Sequence, residues 1–148
     1  MTTAVRTLEW RLHLASPPAK VHAMLSTAEG RAKFWAESAK VVGEYEDGIE
    51  FRFSNGDTLP SRVIENSPPH SFAVTYWAEN KLTFTLEDDG RGGTELTMRE
   101  FDVPKDSADR HELRWISVLL ALKAAVDFDV DLRNHDVDRT MDRGFVDN

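Results

Sequence analysis

Cysteine is absent from the 148 residues of the chain, which excludes disulfide bonds and catalysis by a thiol. The absence also removes the ligand that closed structural zinc sites use most often. No run of apolar residues approaches the roughly 20 that a membrane-spanning helix needs, so we predict no insertion into a membrane. Residues 1–16 alternate instead of offering a basic start and an apolar stretch, so we expect no signal peptide and a cytoplasmic location.

Basic residues are scarce relative to acidic ones. The chain has 18 Lys and Arg against 26 Asp and Glu, which gives a net charge of −8 at pH 7. Phosphate backbones repel such a surface on average, so we predict no nucleic-acid partner. Half of this net charge falls in residues 127–148, which hold seven acidic and three basic residues. The length predicts one domain, placed at residues 1–128, followed by an acidic extension at 129–148 that packs on the body or at a dimer interface.

Motifs that hold metals, phosphates or a catalytic nucleophile are also missing. The five histidines show no close metal-ligand spacing, and the sequence has neither a glycine-rich phosphate loop nor a Gly-x-Ser-x-Gly elbow. Residues 127–131 resemble the first half of a calcium loop, but Leu132 replaces the required glycine and Asp138 the final glutamate. We therefore predict no metal and no cofactor.

Apolar residues two positions apart predict a half-buried first strand: Leu8, Trp10, Leu12 and Leu14. Ser16 and the two prolines after it predict the start of a helix, with Ser16 as its N-cap. Thr27 is placed to cap a second short helix that ends near Phe34 and Trp35. Gly30 weakens the middle of this stretch, so two short helices are expected rather than one long helix.

Between residues 41 and 103, short alternating strands are separated by turn signals at residues 46–48, 55–56, 67–69, 78–80 and 88–93. Asn55 and Gly56 predict a hairpin with a type I′ turn, in which both central residues need a positive φ. These segments make six strands, and the first strand makes seven. No connection is long enough for a crossover helix, so we predict one antiparallel meander.

The longest helix is predicted at about residues 107–128. One apolar stripe along it contains Trp115, Val118, Leu119, Leu122 and Val126. Ile116 and Leu120 form a second, partly separate stripe. Because a helix packed on one sheet needs a single stripe, we expect either the extension or a partner chain to cover the second.

The order of one strand, two short helices, six strands and a long C-terminal helix is that of a helix-grip fold. In this α+β architecture, a curved seven-stranded antiparallel sheet wraps the last helix, and a cavity lies between them. Matching sequence segments stand at residues 15–27, 34–35, 63–77, 83–86, 93–98, 114–115 and 119–123. On these segments the chain resembles the START/birch-pollen-allergen-like (SRPBCC) superfamily and, within it, the branch of heat-shock-protein-90 ATPase activator homologues. The resemblance implies that the cavity binds a small, largely apolar ligand.

Glu100 is the polar residue with the clearest expected place in that cavity. Leu96, Met98 and Glu100 lie two apart, so the strand period directs Glu100 to the concave face. There it serves as a polar anchor or general base; alternatively, a bulge or a frayed strand end turns it to water. His111 and Arg114 share one face of the long helix. Either they border the cavity, with Arg114 pairing Glu100 or a ligand carboxylate, or they extend into solvent.

The other predicted ligand contacts are large apolar side chains, which either line the cavity or fill an ordinary core. They are Phe34, Trp35, Phe51, Phe53, Tyr76, Phe84, Met98, Trp115 and Leu119. Tyr76 and Trp115 also offer a hydrogen-bonding group at the tip of the ring.

Two other functions stay open. An enzyme of the cyclase or hydratase-lyase kind would use Glu100 and His111 as its acid–base pair. A protein-interaction module, linked to a chaperone as the branch implies, would use the second apolar stripe and the acidic extension. In a simpler version of this hypothesis, the partner is a second copy of the chain, which forms a homodimer through the long helix and the extension. Because a fold does not determine a reaction, the sequence names neither the ligand nor a substrate.

Overall fold

The computed structural model describes residues 4–44 and 47–148. Within them, the strands are β1 (Val5–Leu14), β2 (Ser38–Val42), β3 (Gly48–Arg52), β4 (Thr58–Ser67), β5 (Ser71–Thr75), β6 (Lys81–Asp88) and β7 (Thr94–Pro104). The α-helices are α1 (Pro18–Ser26), α2 (Ala28–Phe34) and α3 (Ala108–Phe128). Short 3₁₀ turns lie at Trp77–Glu79 and Met141–Arg143.

The strands form one antiparallel sheet in the order β1-β7-β6-β5-β4-β3-β2. Strands β2 to β7 follow one another as a meander, and β1 joins at the β7 edge, where Trp10 lies opposite Met98. The sheet curves around α3, so the predicted helix-grip architecture is confirmed. Of the predicted turn at residues 46–48, Glu46 lies outside the described residues.

The hydrophobic core lies between the concave face of the sheet and α3. Alternate residues of the central strands point into it, as the period of two requires. The strands contribute Phe72, Val74, Leu82, Phe84, Leu86, Leu96 and Met98, and α3 contributes Trp115, Leu119, Leu122 and Val126. Removal of these side chains from water is the main favourable contribution to folding.

The hairpin between β3 and β4 is present, but the predicted type I′ turn is wrong. Gly56 takes a positive φ of 91°, whereas Asn55 is not among the residues with positive φ. The N–H of Gly56 donates to the carbonyl of Phe53 at 3.0 Å, and the N–H of Phe53 donates to the carbonyl of Asp57 at 2.9 Å. Ser54 and Asn55 therefore occupy the centre of the turn, and the glycine follows them, as in longer hairpin loops.

Ser16 does not cap α1, which corrects the sequence prediction. Pro17 occupies the N-cap position, and α1 has no side-chain cap. The hydroxyl of Ser16 instead donates to the carbonyl of Val126 at 3.1 Å and to the carboxylate of Asp127 at 2.8 Å. The serine stands one residue too early for capping, so its side chain ties the start of α1 to the end of α3. The predicted cap of α2 is confirmed, because the hydroxyl of Thr27 accepts the N–H of Gly30 at 3.0 Å.

Gly30 allows α1 and α2 to approach closely. A Cβ atom added at Gly30 would lie 2.4 Å from the carbonyl oxygen of Met24. The two short helices are therefore packed backbone against backbone at this point, where any side chain would push them apart.

The extension, residues 129–148, returns from the end of α3 toward α2. The guanidinium of Arg133 donates to the carbonyls of Ala32 at 2.6 Å and Ala36 at 2.8 Å. The ring of His135 lies between the carboxylates of Glu37 and Asp131, at 2.6 Å from each. These contacts are polar, and they place the extension beside the C-terminal end of α2.

Candidate functional site

Glu100 lies inside the grip of the sheet and is 0% exposed. On β7 it stands opposite Leu8 of β1 and Leu82 of β6. The irregularity in the β1–β7 pairing comes after it, where Asp102 adopts a φ of +56°. A bulge is therefore present, but it leaves Glu100 directed inward, as the strand period predicts.

The carboxylate of Glu100 meets two side chains of α3. Nδ1 of His111 contacts one of its oxygens, and the indole N–H of Trp115 donates to the other at 3.2 Å. His111 and Trp115 are four residues apart, so they share a helix face. A buried carboxylate needs such partners, because an unpaired one would be costly. Arg114 is exposed and forms no ion pair with Glu100.

Next to Glu100 and its two partners, aromatic rings packed around Trp35 fill the centre of the space between the sheet and α3. The indole N–H of Trp35 donates to the hydroxyl of Tyr76 at 3.1 Å. Ring centroids within 6.0 Å of Trp35 belong to Phe34, Phe51, Tyr76, Phe84 and Trp115. Burial raises the pKa of the Tyr76 hydroxyl, which stays neutral as a hydrogen-bonding group.

A groove opens at one end of this ring cluster, between α3 and the connection from β5 to β6. Its volume is about 390 Å³. We call it the sheet–helix groove, and its lining residues are Tyr76, Trp77, Ala78, Ser107, Arg110, His111, Arg114, Trp115 and Val118. Four residues of the predicted site therefore meet at one opening: Tyr76, His111, Arg114 and Trp115. Glu100 does not line the groove itself; it contacts His111 and Trp115, which do.

The remaining predicted contacts lie elsewhere. Phe34, Phe51, Phe84, Met98 and Leu119 are buried in the core. Phe53 is partly buried and stacks on Trp77, with ring centroids 5.7 Å apart. Phe53 borders a small neighbouring pocket of about 70 Å³ under the extension.

Sequence reasoning missed Arg110 and Val118 as lining residues of the sheet–helix groove, which Trp77 lines as well. The indole nitrogen of Trp77 is buried and has no hydrogen-bond partner among the described residues. Ala78 next to it adopts a left-handed φ of +56°, which bends the connection toward α3. The spacing of Arg110 and Arg114 by four was a visible signal that both share a helix face.

A second opening, the outer groove, lies between the outer face of α3 and the extension. Its volume is about 650 Å³, and its walls are mostly apolar. The apolar residues on its walls include Leu113, Ile116, Leu120, Leu132 and Val146. Val118 borders the sheet–helix groove, the small pocket and the outer groove.

Two properties of the described residues bear on cofactors and membranes. No three histidine, aspartate or glutamate side chains within residues 4–44 and 47–148 are grouped so as to hold a metal ion. Among the helices in the same part of the chain, none has the length and apolarity needed to cross a bilayer.

A curved antiparallel sheet around a long C-terminal helix, with two short helices after the first strand, defines a helix-grip protein. The chain belongs to the family described as Activator of Hsp90 ATPase homolog 1-like protein, whose sequence model matches residues 15–127. This places it in the corresponding branch of the START/SRPBCC superfamily, as the sequence predicts. No curated protein matches the chain.

Solved structures show the same fold at low sequence identity. The Aha1 dimer from Colwellia psychrerythraea, a solution structure, aligns with a TM-score of 0.69 at 22% identity, covering 83% of this chain and 97% of that one. SSP2350 from Staphylococcus saprophyticus aligns with a TM-score of 0.72 at 20% identity, covering 86% and 96%. MLL2253 from Mesorhizobium loti aligns with a TM-score of 0.69 at 20% identity, covering 82% and 97%.

Proposed function

We propose that the protein binds a small, largely apolar molecule in the sheet–helix groove. The observation that carries this proposal is an open groove of about 390 Å³ where the ring cluster ends. Small-molecule sites commonly span roughly 300–1,000 Å³ and combine apolar walls with a few placed polar groups. Membership of a helix-grip family supports the same function, because the groove lies between the sheet and α3.

The walls of the groove suit an apolar ligand. Tyr76, Trp77 and Trp115 offer aromatic faces, and Val118 offers an aliphatic one. Each apolar Å² removed from water contributes about 25 cal/mol, so aromatic contact supplies most of the affinity. His111 supplies orientation, because its contact with Glu100 fixes the imidazole ring at the groove.

The proposed ligand lies at the edge of the grip rather than in its centre. The sequence predicts a deeper cavity, among residues that include Phe51 and Phe84. Those rings pack against Trp35, with centroids at 4.7 and 5.5 Å. Large rings from α2, the sheet and α3 occupy that volume together, so the groove beyond them is the space that a ligand would use.

Titration with the neutral fluorescent dye N-phenylnaphthylamine tests this proposal. We expect saturable binding to the wild type and a loss of affinity of about tenfold or more in Val118→Trp, whose larger side chain fills the groove. Ile116→Trp is the matched control, because this position faces the outer groove, and it should bind the dye as the wild type does. Thermal unfolding checks that both variants fold. No saturable binding to the wild type, or equal loss in both variants, would overturn the proposal.

The contact between Glu100 and His111 favours acid–base catalysis as a second candidate. The imidazole borders the groove and the buried carboxylate holds it from behind, an arrangement that suits a general base. Native mass spectrometry of protein from its own host tests this candidate. A retained molecule that is chemically altered by the wild type but not by His111→Asn supports catalysis, whereas a molecule unaltered by both supports binding alone.

A homodimer through the outer face of α3 and the extension is a further proposal. It is supported by the exposure of Leu113 and Leu120, at 65% and 51%, and by the dimeric state of the Colwellia relative. Light scattering tests it: the wild type should be a dimer and Leu120→Glu a monomer. A wild-type monomer would contradict it. The chaperone link and the cytoplasmic location stay predictions.

A further inference from the structure

The charge of the sheet–helix groove is opposite to that of the chain. The chain carries a net charge of −8, yet none of the nine residues that line the groove is Asp or Glu. Arg110 and Arg114 both line it. A ligand in the groove therefore meets positive charge first, although the protein as a whole repels anions.

The two arginines are placed to act together. They are four residues apart on α3 and therefore neighbours on one helix face. Neither forms an ion pair within the described part of the chain, in contrast to Arg6 with Glu112 and Arg99 with Glu9. Arg114 also borders the small pocket under the extension, where Asp142 lies, so Arg110 is the more available of the two.

The other walls of the groove are mainly apolar. Trp77 forms the wall opposite α3, and its indole nitrogen is buried, so the two guanidinium groups are the main donors that a ligand meets. Trp115 and Val118 supply the adjoining apolar surface.

We propose that the ligand of this groove is an amphipathic carboxylate. Its ring or chain packs against Trp115 and Val118, and its carboxylate is bound by Arg110 and Arg114. Guanidinium groups match a carboxylate through paired hydrogen bonds, which a neutral oxygen cannot replace in strength. This inference rests on the proposed function and adds the chemical class of the ligand.

Calorimetric titration with two probes of one shape tests the inference: naphthaleneacetate and naphthaleneethanol, which differ in the carboxylate. We expect the acid to bind the wild type about tenfold more tightly than the alcohol. Arg110→Gln and Arg114→Gln should each weaken binding of the acid by about tenfold and leave binding of the alcohol unchanged. Arg91→Gln is the matched control, because it removes the same charge in the turn between β6 and β7 and should change neither affinity.

The outcomes separate the inference from the proposed function. Binding of both probes with equal affinity, or an acid affinity that is unchanged in both arginine variants, overturns the inference and leaves the groove as an apolar site. Binding of neither probe overturns the proposed function and the inference with it. Equal weakening of acid and alcohol in the arginine variants also overturns the inference, because it assigns the arginines to the shape of the groove rather than to the carboxylate.

Discussion

The two faces of α3 are both apolar, but the fold uses only one of them. On the inner face, Leu119 and Leu122 are buried against the sheet. On the outer face, Leu113 and Leu120 stay more than half exposed beside the outer groove. The helix therefore carries more apolar surface than the core needs, and apolar periodicity alone does not identify the residues that stabilise the fold.

The residues between these two faces differ again. Arg110, His111 and Arg114 lie at the rim where α3 meets the connection after β5, and there the helix is polar. The inner face thus supplies stability, the rim supplies the proposed ligand contacts, and the outer face is free for an interface. Substitutions on each should separate these roles.

The largest expected effect is at the inner face. Leu122→Ala removes a fully buried side chain, so we expect a loss of about 2–5 kcal/mol in the free energy of unfolding. Leu120→Ala on the outer face should change the free energy of unfolding of the monomer, at a concentration too low for the proposed dimer to form, by less than about 0.5 kcal/mol. Urea denaturation measures both. Similar losses in the two variants would show that the faces are equivalent, contrary to the comparison.

The second largest effect on stability is expected at His111, where the inner face of α3 meets the rim. His111→Ala leaves one oxygen of the buried Glu100 carboxylate without its partner, and we expect a loss of about 1–3 kcal/mol. Arg114→Ala, three residues away and exposed, is the control and should change stability by less than about 0.5 kcal/mol. If Arg114→Ala cost as much as His111→Ala, the rim would be part of the structural core.

The third expected effect is a dependence of stability on pH, caused by Asp127 at the end of α3. Burial acts to raise the pKa of the Asp127 carboxyl, but hydrogen bonds from Ala15, Ser16 and Lys123 outweigh burial and hold the pKa below its usual value. A lowered pKa stabilises the fold above the unfolded value of about 3.9, and this stability is lost as the pH falls through the lowered pKa.

We therefore expect the difference in stability between the wild type and Asp127→Asn to be full at neutral pH and to shrink below about pH 4. Denaturation in urea at a series of pH values measures it. Asp129→Asn, at an exposed neighbouring position, should follow the wild-type pH profile. A difference that stays constant to low pH would contradict this role of Asp127.

The smallest effect is expected in the extension. Hydrogen bonds to Glu37 and then Asp131 raise the pKa of His135, because both ring nitrogens can donate to carboxylates only when the ring is protonated. A raised pKa stabilises fully below the unfolded value of about 6.5, and this stability is lost as the pH rises through the folded pKa. The stability difference between the wild type and His135→Gln should therefore be largest below pH 6.5 and vanish in alkali. A stability difference between the two proteins that grows as the pH rises would contradict this role of His135.

Local periodicity was enough to predict the sheet, and it gave the inward direction of Glu100 as one of two alternatives. Strand alternation is a property of the backbone, so Leu96, Met98 and Glu100 share a face whatever surrounds them. The predicted start of α3 at residue 107 differs from the observed Ala108 by one residue. The helix-grip fold was predicted from the order of the elements, and the match of residues 15–127 to the family confirms the separate resemblance of the sequence segments.

The groove itself depends on contacts between distant segments, which periodicity does not encode. Trp77 reaches it because the connection after β5 bends through left-handed residues, and only the folded chain brings that bend to α3. The sequence gives no sign of the place of Arg31, which is 1% exposed and whose guanidinium donates to the carbonyls of Leu25 and Ala39. Burial lowers the pKa of Arg31 to about 10. Its partners are backbone atoms, which no residue pattern reveals.

The structure of the protein bound to naphthaleneacetate is the most direct measurement of where a ligand lies. We expect the naphthalene ring against Trp115 and Val118, with the carboxylate within hydrogen-bonding distance of Arg110 and Arg114. A ligand found instead between the outer face of α3 and the extension, or bound nowhere at saturating concentration, would contradict the assignment of the sheet–helix groove as the binding site.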